Sequence, residues 1–425
     1  MNILLFSEAA WDDKNSFGNT VSNFFAGEIW KEDNFSDFYV RSKNPDNKVE
    51  VEYYNLSAID IIKGITKFKI KGRRFSSNSI LTEPVFSNEQ SESENKSIEL
   101  IHKRKNHFVY FVHECIWMSR VWLNGSFKQF INDVKPDILF AFAQSPFILW
   151  PLISYLKKNT GCKVVLLVAD DTYNIYDTYP FYRRFYSKKL LEKCLLNSDK
   201  LYAISNEMTE LYSNHFNREI TTLYKGCDLS LPPIKHLNSP LKIVYAGNLY
   251  YGRDNILSRV AKAIEKINRD TCRVKLEIYT GANITNEIEK KLNIPNCSEI
   301  MGLRSYDKIK KILHEADIVL HVESFEEETI NTVRYSLSTK IIDCLQSGSQ
   351  VLGIGPNGIA SINYLKKVDG AVVIDNEKDI MKRLEELISD SQMLERINKT
   401  RKYALSHHEI NNIQNNLRND LKSLL

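Results

Sequence analysis

The chain has 425 residues, 43% of them hydrophobic and 11% aromatic, which is enough to bury two domain cores and excludes a disordered or fibrous protein. Its 57 basic and 53 acidic residues leave a formal net charge of +4, so the composition gives no indication of a nucleic-acid partner. Seven cysteines occur without a CxxC pair, and nine histidines occur without an HExxH motif. We therefore predict reduced thiols, no disulfide framework, no metal site and no cofactor.

The sequence predicts no targeting or membrane-spanning segment. The first residues enter an apolar strand directly and lack the basic region of a signal peptide. The longest apolar stretch, residues 138–156, is interrupted by Pro146 and Pro151, which favours a strand followed by a helix that starts with proline. We therefore predict a cytoplasmic location.

The beginning of the chain has the pattern of a doubly wound α/β domain. Residues 3–6 predict a buried strand, a polar loop follows, and an amphipathic helix is predicted to start at Val21. The loop carries Gly18 and Asn19. Because ligands of such folds bind at the carboxyl ends of the strands, this loop is predicted at the edge of a site. Gly18 either closes a turn or lets the backbone approach a ligand, and the sequence leaves both readings open.

A cationic segment lies between Lys63 and Arg74. Residues 61–75 contain six basic side chains among isoleucine and phenylalanine, and no acid. Two interpretations fit this pattern: an ordinary solvated face, or a surface that contacts anionic lipid head groups. Residues 75–99 are rich in Ser, Asn and Glu and predict a long loop. Residues 108–130 are predicted to be helical.

Two carboxylates, Asp170 and Asp171, follow the buried strand predicted over residues 163–168. A carboxylate at the carboxyl end of a strand suits general acid–base chemistry. The alternative is that one of them caps the next helix. Helices and strands continue to a proline-rich linker at residues 231–240.

A second α/β unit begins with the strand predicted over residues 241–246. The turn that follows carries Gly247, Asn248 and Arg253 and leads into an amphipathic helix. Glycine in this turn lets the backbone approach a phosphate, and the arginine would neutralise an anion. Helices and strands then alternate, and about 45 helical residues end the chain, where His407 and His408 are predicted as a surface pair.

Hydroxyl groups cluster where a helix is predicted to begin near residue 340. They belong to Ser336, Ser338 and Thr339. The N–H groups of a first helical turn are unsatisfied and attract anions, although hydroxyls in this place are usually ordinary N-caps. Asp343, one turn further along, could accept hydrogen bonds from a ribose diol. The helix is predicted to stop at Gly348, before a strand at residues 350–354.

The segment S-T-K-I-I-D-C-L-Q-S-G resembles the C-terminal donor-binding motif of GT-B glycosyltransferases of the family 4 type, especially their capsule and O-antigen branch. Asp343 precedes Gly348 by five positions, as that motif requires. The block Y-A-G-N-L-x-x-G-R resembles the second donor motif. One position departs from the pattern, because the upstream glutamate of the family falls on Tyr335.

The resemblance implies an α/β protein with the GT-B architecture, in which two Rossmann-like doubly wound domains face each other across a cleft. The N-terminal, acceptor-side domain would comprise residues 1–235, and the nucleotide-sugar-binding domain residues 236–407. A C-terminal helix, residues 408–425, would pack back on the first domain. The implied donor-binding residues are Gly247, Asn248, Arg253, Ser336, Ser338, Thr339, Lys340 and Asp343. Asp170 and Asp171 would be catalytic, and Gly18 and Asn19 would form the acceptor or phosphate loop.

The implied activity is transfer of a sugar from a nucleoside diphosphate to a hydroxyl acceptor. The expected acceptor is a lipid-linked intermediate of a surface polysaccharide of the cell envelope. The reaction is expected to retain configuration and to need no metal, with the leaving group stabilised by Arg253 and Lys340. If the cationic segment contacts anionic lipid, the protein is expected at the periphery of the inner face of the membrane. The alternatives are a sugar-nucleotide epimerase of the same architecture and a non-catalytic nucleotide-sugar-binding subunit.

Overall fold

A computed structural model describes residues 1–67, 69–82, 85–87, 107–234 and 236–425. The chain forms two compact units: Met1–Leu223 with Gln414–Leu425, and Tyr224–Ile413. Residues 224–234, predicted in the first domain, group with the second unit because the Ile234 N–H donates to the carbonyl oxygen of Gly348 at 3.0 Å. Most of the loop predicted over residues 75–99 lies outside the described residues.

The described part of the first unit is built on one mainly parallel sheet. Its strands are β1 (Asn2–Ser7), β2 (Asn34–Tyr39), β3 (Val51–Asn55), β4 (Arg73–Ser76), β5 (Ile138–Phe142), β6 (Lys163–Val168), β7 (Lys200–Ala203) and β8 (Thr221–Thr222). The order is β4-β3-β2-β1-β5-β6-β7-β8, and only the β3–β4 pair is antiparallel. The near-continuous apolar runs of β1, β5 and β6 are those of strands buried on both faces, as in doubly wound sheets.

Helices connect the parallel strands of the first unit. They are α1 (Ser16–Phe25), α2 (Ala58–Thr66), α3 (Ser77–Thr82), α4 (His107–Met118), α5 (Gly125–Val134), α6 (Pro146–Asn159), α7 (Thr172–Ile175), α8 (Phe181–Leu196) and α9 (Asn206–Phe216). The single helix predicted over residues 108–130 is therefore two helices, because residues 119–124 break it.

The predicted start of the first helix is wrong. Helix α1 begins at Ser16, so Gly18 and Asn19 lie in its first turn and not in a loop. Asn15 is the N-cap, and its side-chain oxygen accepts a hydrogen bond from the Gly18 N–H at 2.7 Å. This cap supplies a partner for a backbone donor that the first turn leaves unsatisfied, so the helix starts at Ser16, before the apolar run that begins at Val21.

The second unit contains an all-parallel sheet with the order β11-β10-β9-β12-β13-β14. Its strands are β9 (Leu241–Ala246), β10 (Val274–Tyr279), β11 (Ser298–Ile300), β12 (Ile318–Val322), β13 (Gln350–Ile354) and β14 (Val372–Ile374). This is the 3-2-1-4-5-6 order of the Rossmann fold, in which ligands bind beyond the carboxyl ends of the strands.

The helices of the second unit lie between these strands and after them. They are α10 (Arg253–Ile267), α11 (Asn286–Leu292), α12 (Tyr306–His314), α13 (Glu327–Val333), α14 (Lys340–Gln346), α15 (Ala360–Lys367), α16 (Ile380–Ile388) and α17 (Met393–His408). Short 3₁₀ turns occur at Glu28–Trp30, Tyr176–Thr178 and Glu377–Asp379. None of the helices in the described ranges is both long enough and apolar enough to cross a membrane.

The last helix, α18 (Ile410–Ser423), returns to the first unit. Gln414 Nε2 donates to the carbonyl oxygen of Asn23 at 2.7 Å. Arg418 Nε lies 2.8 Å from Asp33 Oδ2, and the Tyr202 hydroxyl donates to Asp420 at 2.7 Å. These contacts join residues that are hundreds of positions apart in the sequence.

The prediction of a surface histidine pair is wrong for His408, which is fully buried. Its Nδ1 lies 3.1 Å from the carbonyl oxygen of Lys225, and its Nε2 contacts the hydroxyl of Tyr364. A neutral ring with the proton on Nδ1 satisfies both partners. Burial lowers the pKa of His408 to about 4, because the charged form would lose its hydration.

We expect His408 to make the folded state sensitive to acid. Its pKa is depressed in the folded state, so its stabilising effect is complete above about pH 6.5 and is lost as the pH falls towards 4. The free energy of unfolding should fall by about 2 kcal/mol from this group between pH 7.5 and pH 5. His408→Gln cannot titrate, so urea unfolding of the variant should show a shallower pH dependence. Identical pH dependences would contradict the prediction.

Candidate active site

The turn after β9 holds Arg253 in a buried position. Gly252 has a φ of +66°, a conformation that favours glycine, and α10 begins at the next residue. Arg253 Nη1 donates to Asn248 Oδ1 at 2.8 Å, and Nε donates to the carbonyl oxygen of Val322 at 3.2 Å. Its Nη2 lies 2.9 Å from Glu323 Oε2. The structure therefore joins two predicted donor residues, Asn248 and Arg253, to the end of β12.

Glu323 is the buried carboxylate of this group, with 1% of its surface exposed. His321 Nε2 lies 3.1 Å from Glu323 Oε1, within ion-pair distance but without hydrogen-bond geometry. Burial alone would raise the pKa of Glu323, but His321 and Arg253 outweigh it and hold the pKa below its usual value. Glu323 is therefore a carboxylate in the folded protein, and its main cationic partner is Arg253.

Lys340 approaches the same turn from the start of α14. Its Nζ lies 3.1 Å from the position that a Cβ on Gly247 would take, so only glycine leaves this space open. Burial lowers the pKa of Lys340, and the nearby charge of Arg253 lowers it further. In the described part of the chain, its ammonium group makes no hydrogen bond or ion pair. An anion placed here would relieve both effects, because it would supply the charge and the acceptors that the ammonium lacks.

The predicted hydroxyl cluster lies in the turn before α14. Thr339 precedes the helix in a helical conformation, and its side chain makes no capping hydrogen bond. The Ser338 N–H donates to Ser361 Oγ at 3.0 Å, and the Ser361 hydroxyl donates to the carbonyl oxygen of Ser336 at 3.3 Å. An ordinary N-cap therefore does not account for Thr339, while Ser361, which the sequence prediction missed, fixes the turn.

Asp343 lies one turn along α14 and is half-buried. The Tyr306 hydroxyl donates to its Oδ1 at 2.9 Å, and Gln346 Nε2 approaches the same oxygen at 3.3 Å. Its Oδ2 has no hydrogen-bond partner among the described residues. One carboxylate oxygen is thus held in place, and the other can accept a hydrogen bond from a ligand hydroxyl. Sequence reasoning missed Tyr306 and Gln346; the only signal was that Tyr306 opens a predicted helix.

In the first unit, the structure separates the two candidate acids. Asp171 is 7% exposed and caps α7: its Oδ1 accepts from the Asn174 N–H at 3.4 Å and from the Tyr212 hydroxyl at 3.0 Å. Asp170 is exposed, and its Oδ2 accepts from Gln144 Nε2 at 3.3 Å. The capping alternative therefore describes Asp171, whereas Asp170 can reach a molecule in solution.

Other polar side chains gather at the carboxyl ends of neighbouring strands in this sheet. Glu8 follows β1, and its Oε2 lies 3.0 Å from Arg41 Nη2, beyond the end of β2. Glu8 Oε1 accepts a hydrogen bond from the hydroxyl of Ser145, beyond the end of β5. Sequence reasoning did not single out these residues, although Glu8 follows a predicted strand. Together with Asp170 they line the edge where a doubly wound sheet binds its ligand.

Gly18 has a packing role in the structure. A Cβ at this position would lie 2.2 Å from the carbonyl oxygen of Asp12, so a larger residue would displace the loop before α1. The Asn19 N–H donates to the carbonyl oxygen of Asn15 at 3.0 Å within the first turn. Close packing therefore accounts for the glycine, and a ligand role for Gly18 and Asn19 stays a prediction.

Comparison with known proteins gives a weak sequence match and a strong fold match. No protein-family model matches the sequence. The phosphoheptose isomerases of Neisseria meningitidis serogroup A and Neisseria gonorrhoeae are each 25% identical over 162 residues, which is 37% of this chain and 80% of the isomerase.

Solved structures match both units of the chain. Trehalose-6-phosphate synthase, OtsA, aligns over 100% of both chains with a TM-score of 0.62 and 12% identity. The UDP-forming α,α-trehalose-phosphate synthase of Burkholderia xenovorans, in complex with glucose-6-phosphate, covers 99% of this chain and 100% of its own, with a TM-score of 0.58 and 8% identity. These are GT-B glycosyltransferases. The chain has the GT-B fold.

A third GT-B structure is a variant of S. aureus TarM in complex with Fondaparinux, α-GlcNAc-glycerol and UDP. It aligns with 73% of this chain and 59% of TarM, with a TM-score of 0.54 and 13% identity. In this GT-B chain the predicted donor residues all belong to the second unit. Asp170, Asp171, Gly18 and Asn19 all belong to the first.

Proposed function

We propose that this protein is a glycosyltransferase that moves a sugar from a nucleoside diphosphate to a hydroxyl acceptor. The observation that carries the proposal is the ammonium group of Lys340, mostly buried beside Gly247 and Arg253 without an anionic partner of its own. A diphosphate is a suitable partner, because it carries several negative charges and strong acceptors. As the bond between the diphosphate and the sugar breaks, negative charge develops on the diphosphate, and the fixed charges of Lys340 and Arg253 would stabilise it.

The two cations would have different tasks. Arg253 directs its donors to Glu323, Asn248 and the carbonyl oxygen of Val322, so it would act through its charge and by fixing the turn. Lys340 would donate directly to a phosphate oxygen. Asp343, with one free carboxylate oxygen, would accept a hydrogen bond from the ribose.

The acceptor side of the reaction is proposed on Asp170. This exposed carboxylate at the end of β6 would orient the acceptor hydroxyl or take its proton. The family 4 type, retention of configuration, and a lipid-linked acceptor in polysaccharide biosynthesis are supported by the resemblance of the two donor motifs. UDP is the nucleotide named for the similar TarM structure, and it is the first donor nucleotide to test.

Two other functions remain as alternatives to test. A sugar-nucleotide epimerase would use the same donor residues without an acceptor, and a binding subunit would hold the nucleotide sugar without turnover. The isomerase similarity spans fewer residues than either unit, whereas the likeness to GT-B structures spans the whole chain. That difference favours transfer from a nucleotide sugar over isomerisation of a sugar phosphate.

Removing the charge of Lys340 should weaken binding of nucleoside diphosphates. We expect Lys340→Met to weaken UDP binding by about 1.5–3 kcal/mol, the scale of a charge-assisted hydrogen bond, in calorimetric titration. Wild-type affinity should fall as the pH rises towards the lowered pKa of Lys340, and Lys340→Arg should bind with little pH dependence. Lys262→Met, on the exposed side of α10, is the control. Unchanged affinities in Lys340→Met for UDP, GDP and ADP would contradict the proposal.

A further inference from the structure

Two of the seven cysteines lie close together at the amino ends of two strands in the second unit. All seven are free thiols and lie within the described ranges. Cys272 is exposed in the loop between α10 and β10, and Cys297 is 6% exposed, one residue before β11. Strands β10 and β11 are parallel neighbours in the sheet, so the loops that enter them meet, although the two thiols are 25 positions apart in the sequence.

The side chain of Asn268, the residue after α10, contacts both thiols. Its Nδ2 donates to Cys272 Sγ and to Cys297 Sγ at 3.9 Å each, so the two sulfur atoms are no more than twice that distance apart. The same Nδ2 donates to the carbonyl oxygens of Val274 at 2.8 Å and Asn296 at 3.2 Å. One amide group therefore fixes both of the segments that carry the cysteines.

The Cys272 thiol also contacts the turn that carries Cys297. Cys272 Sγ donates to the carbonyl oxygen of Asn296, the residue before Cys297, at 3.6 Å. Asn296 has a φ of +62°, and the carbonyl oxygen of Cys297 accepts from the Leu276 N–H at 2.9 Å, which ties this turn to β10. A disulfide would form by rotation of both cysteine side chains away from the Asn268 amide, because the Cys272 thiol already lies against the backbone next to its partner.

The two thiols differ in their access to a reagent. A small molecule in solution can reach the exposed sulfur of Cys272, whereas Cys297 is buried, and burial raises the pKa of its thiol. An accessible cysteine beside a second, resolving cysteine is the arrangement of a redox-active pair. Cys115, the other exposed cysteine, lies on α4 and contacts no other thiol among the described residues. It is therefore a matched comparison for Cys272.

We propose that Cys272 and Cys297 form an oxidisable pair whose reaction partner is a low-molecular-weight disulfide such as oxidised glutathione. The Cys272 thiolate attacks one sulfur of the glutathione disulfide, and one glutathione leaves as a thiolate and is protonated. Cys297 then loses its proton and attacks the Cys272 sulfur of the mixed disulfide, and the second glutathione leaves. The protein gives up two electrons and two protons as the Cys272–Cys297 bond forms, and one oxidised glutathione becomes two reduced molecules.

The bond would stabilise the second unit at a distance from the donor residues. It closes a loop over residues 272–297, which restricts the unfolded chain, so oxidation should raise the melting temperature by roughly 4 °C or more. The pair lies beyond the carboxyl end of α10, whereas Arg253 begins that helix, about 20 Å away along its axis. The pair therefore lies outside the proposed donor site, and its oxidation requires no sugar transfer.

The test is mass spectrometry of the full chain after incubation with oxidised glutathione, alkylation of the remaining thiols and digestion without reduction. We expect a linked peptide that contains Cys272 and Cys297, and a mixed disulfide with glutathione on Cys115. In Cys297→Ser, Cys272 should keep its glutathione as Cys115 does, and the rise in melting temperature should be absent. Cys115→Ser should form the linked peptide in wild-type yield. In Cys272→Ser, the buried Cys297 should react at least about tenfold more slowly than Cys272 reacts in the wild type.

A wild-type chain in which Cys272 accumulates the mixed disulfide without a linked peptide would overturn the proposal, because Cys297 would then fail to resolve it. A disulfide-linked dimer joined through Cys272 would also overturn it, since a second copy would have taken the place of Cys297. So would a chain in which Cys115 is modified while Cys272 stays reduced. The wild-type chain alone distinguishes these outcomes, even if a serine variant fails to fold.

Discussion

Replacing Asp170 by alanine is expected to lower turnover by about 10²–10⁴-fold, the usual contribution of a general base. Donor affinity should be unchanged, because the proposed donor residues all belong to the second unit. The melting temperature should change little, since Asp170 is exposed and the N-cap of α7 is Asp171. The measurement is the rate of nucleoside diphosphate release per folded molecule in the presence of an acceptor.

Asp171→Ala is the matched control for this prediction. Asp171 is buried, caps α7 and accepts a hydrogen bond from Tyr212, so its loss should cost about 0.5–2 kcal/mol of stability and little turnover. If Asp170→Ala keeps wild-type turnover, Asp170 is not the base. Glu8, which lies at the same sheet edge, would then be the next residue to replace.

Arg253→Ala is expected to destabilise the second unit strongly. The substitution leaves Glu323 buried without its main cationic partner, and breaking one side of a buried ion pair costs about 3–5 kcal/mol. The free energy of unfolding in urea measures this cost. Loss of donor binding in this variant could therefore come either from the lower stability or from a missing charge at the phosphate. Lys340→Met is the better test of the phosphate contact.

A double variant separates stability from binding. Arg253→Met/Glu323→Leu replaces the buried pair by apolar side chains of similar size, which is often close to neutral for stability. We expect it to recover most of the stability that Arg253→Ala loses, while UDP binding stays weak. If Arg253→Ala unfolds at the same urea midpoint as the wild type, the Arg253–Glu323 ion pair does not stabilise the second unit.

The parallel sheets could be predicted closely because buried strands leave a clear pattern. Strands β6, β9 and β13 have the bounds that apolar runs predict. Strand β11 has only three residues, too few for such a run, and was missed. The start of α1 was misplaced because Asn15 caps a first turn in which Phe17 is the only large apolar residue, and one such residue gives no periodicity.

The sequence singled out the residue types of the candidate site but gave no signal for the contacts between them. The turn after β9 and the motif around Asp343 can be recognised in the sequence because the glycine, arginine and acidic residues of each motif lie within a few positions of one another. The pairing of Arg253 with Glu323 joins residues 70 positions apart and depends on β9 and β12 being neighbours. The Tyr306–Asp343 hydrogen bond also depends on tertiary packing. Neither contact leaves a pattern in the sequence.

The most direct measurement of the central claim is nucleoside diphosphate release from a panel of nucleotide sugars, with and without hydroxyl acceptors such as glucose-6-phosphate and membrane lipid extract. We expect release from at least one nucleotide sugar, accelerated by an acceptor and reduced at least tenfold in Lys340→Met. Conversion to an epimer without nucleotide release would contradict transfer in favour of epimerisation. Binding of nucleotide sugars with no turnover under any acceptor condition would identify a binding subunit instead.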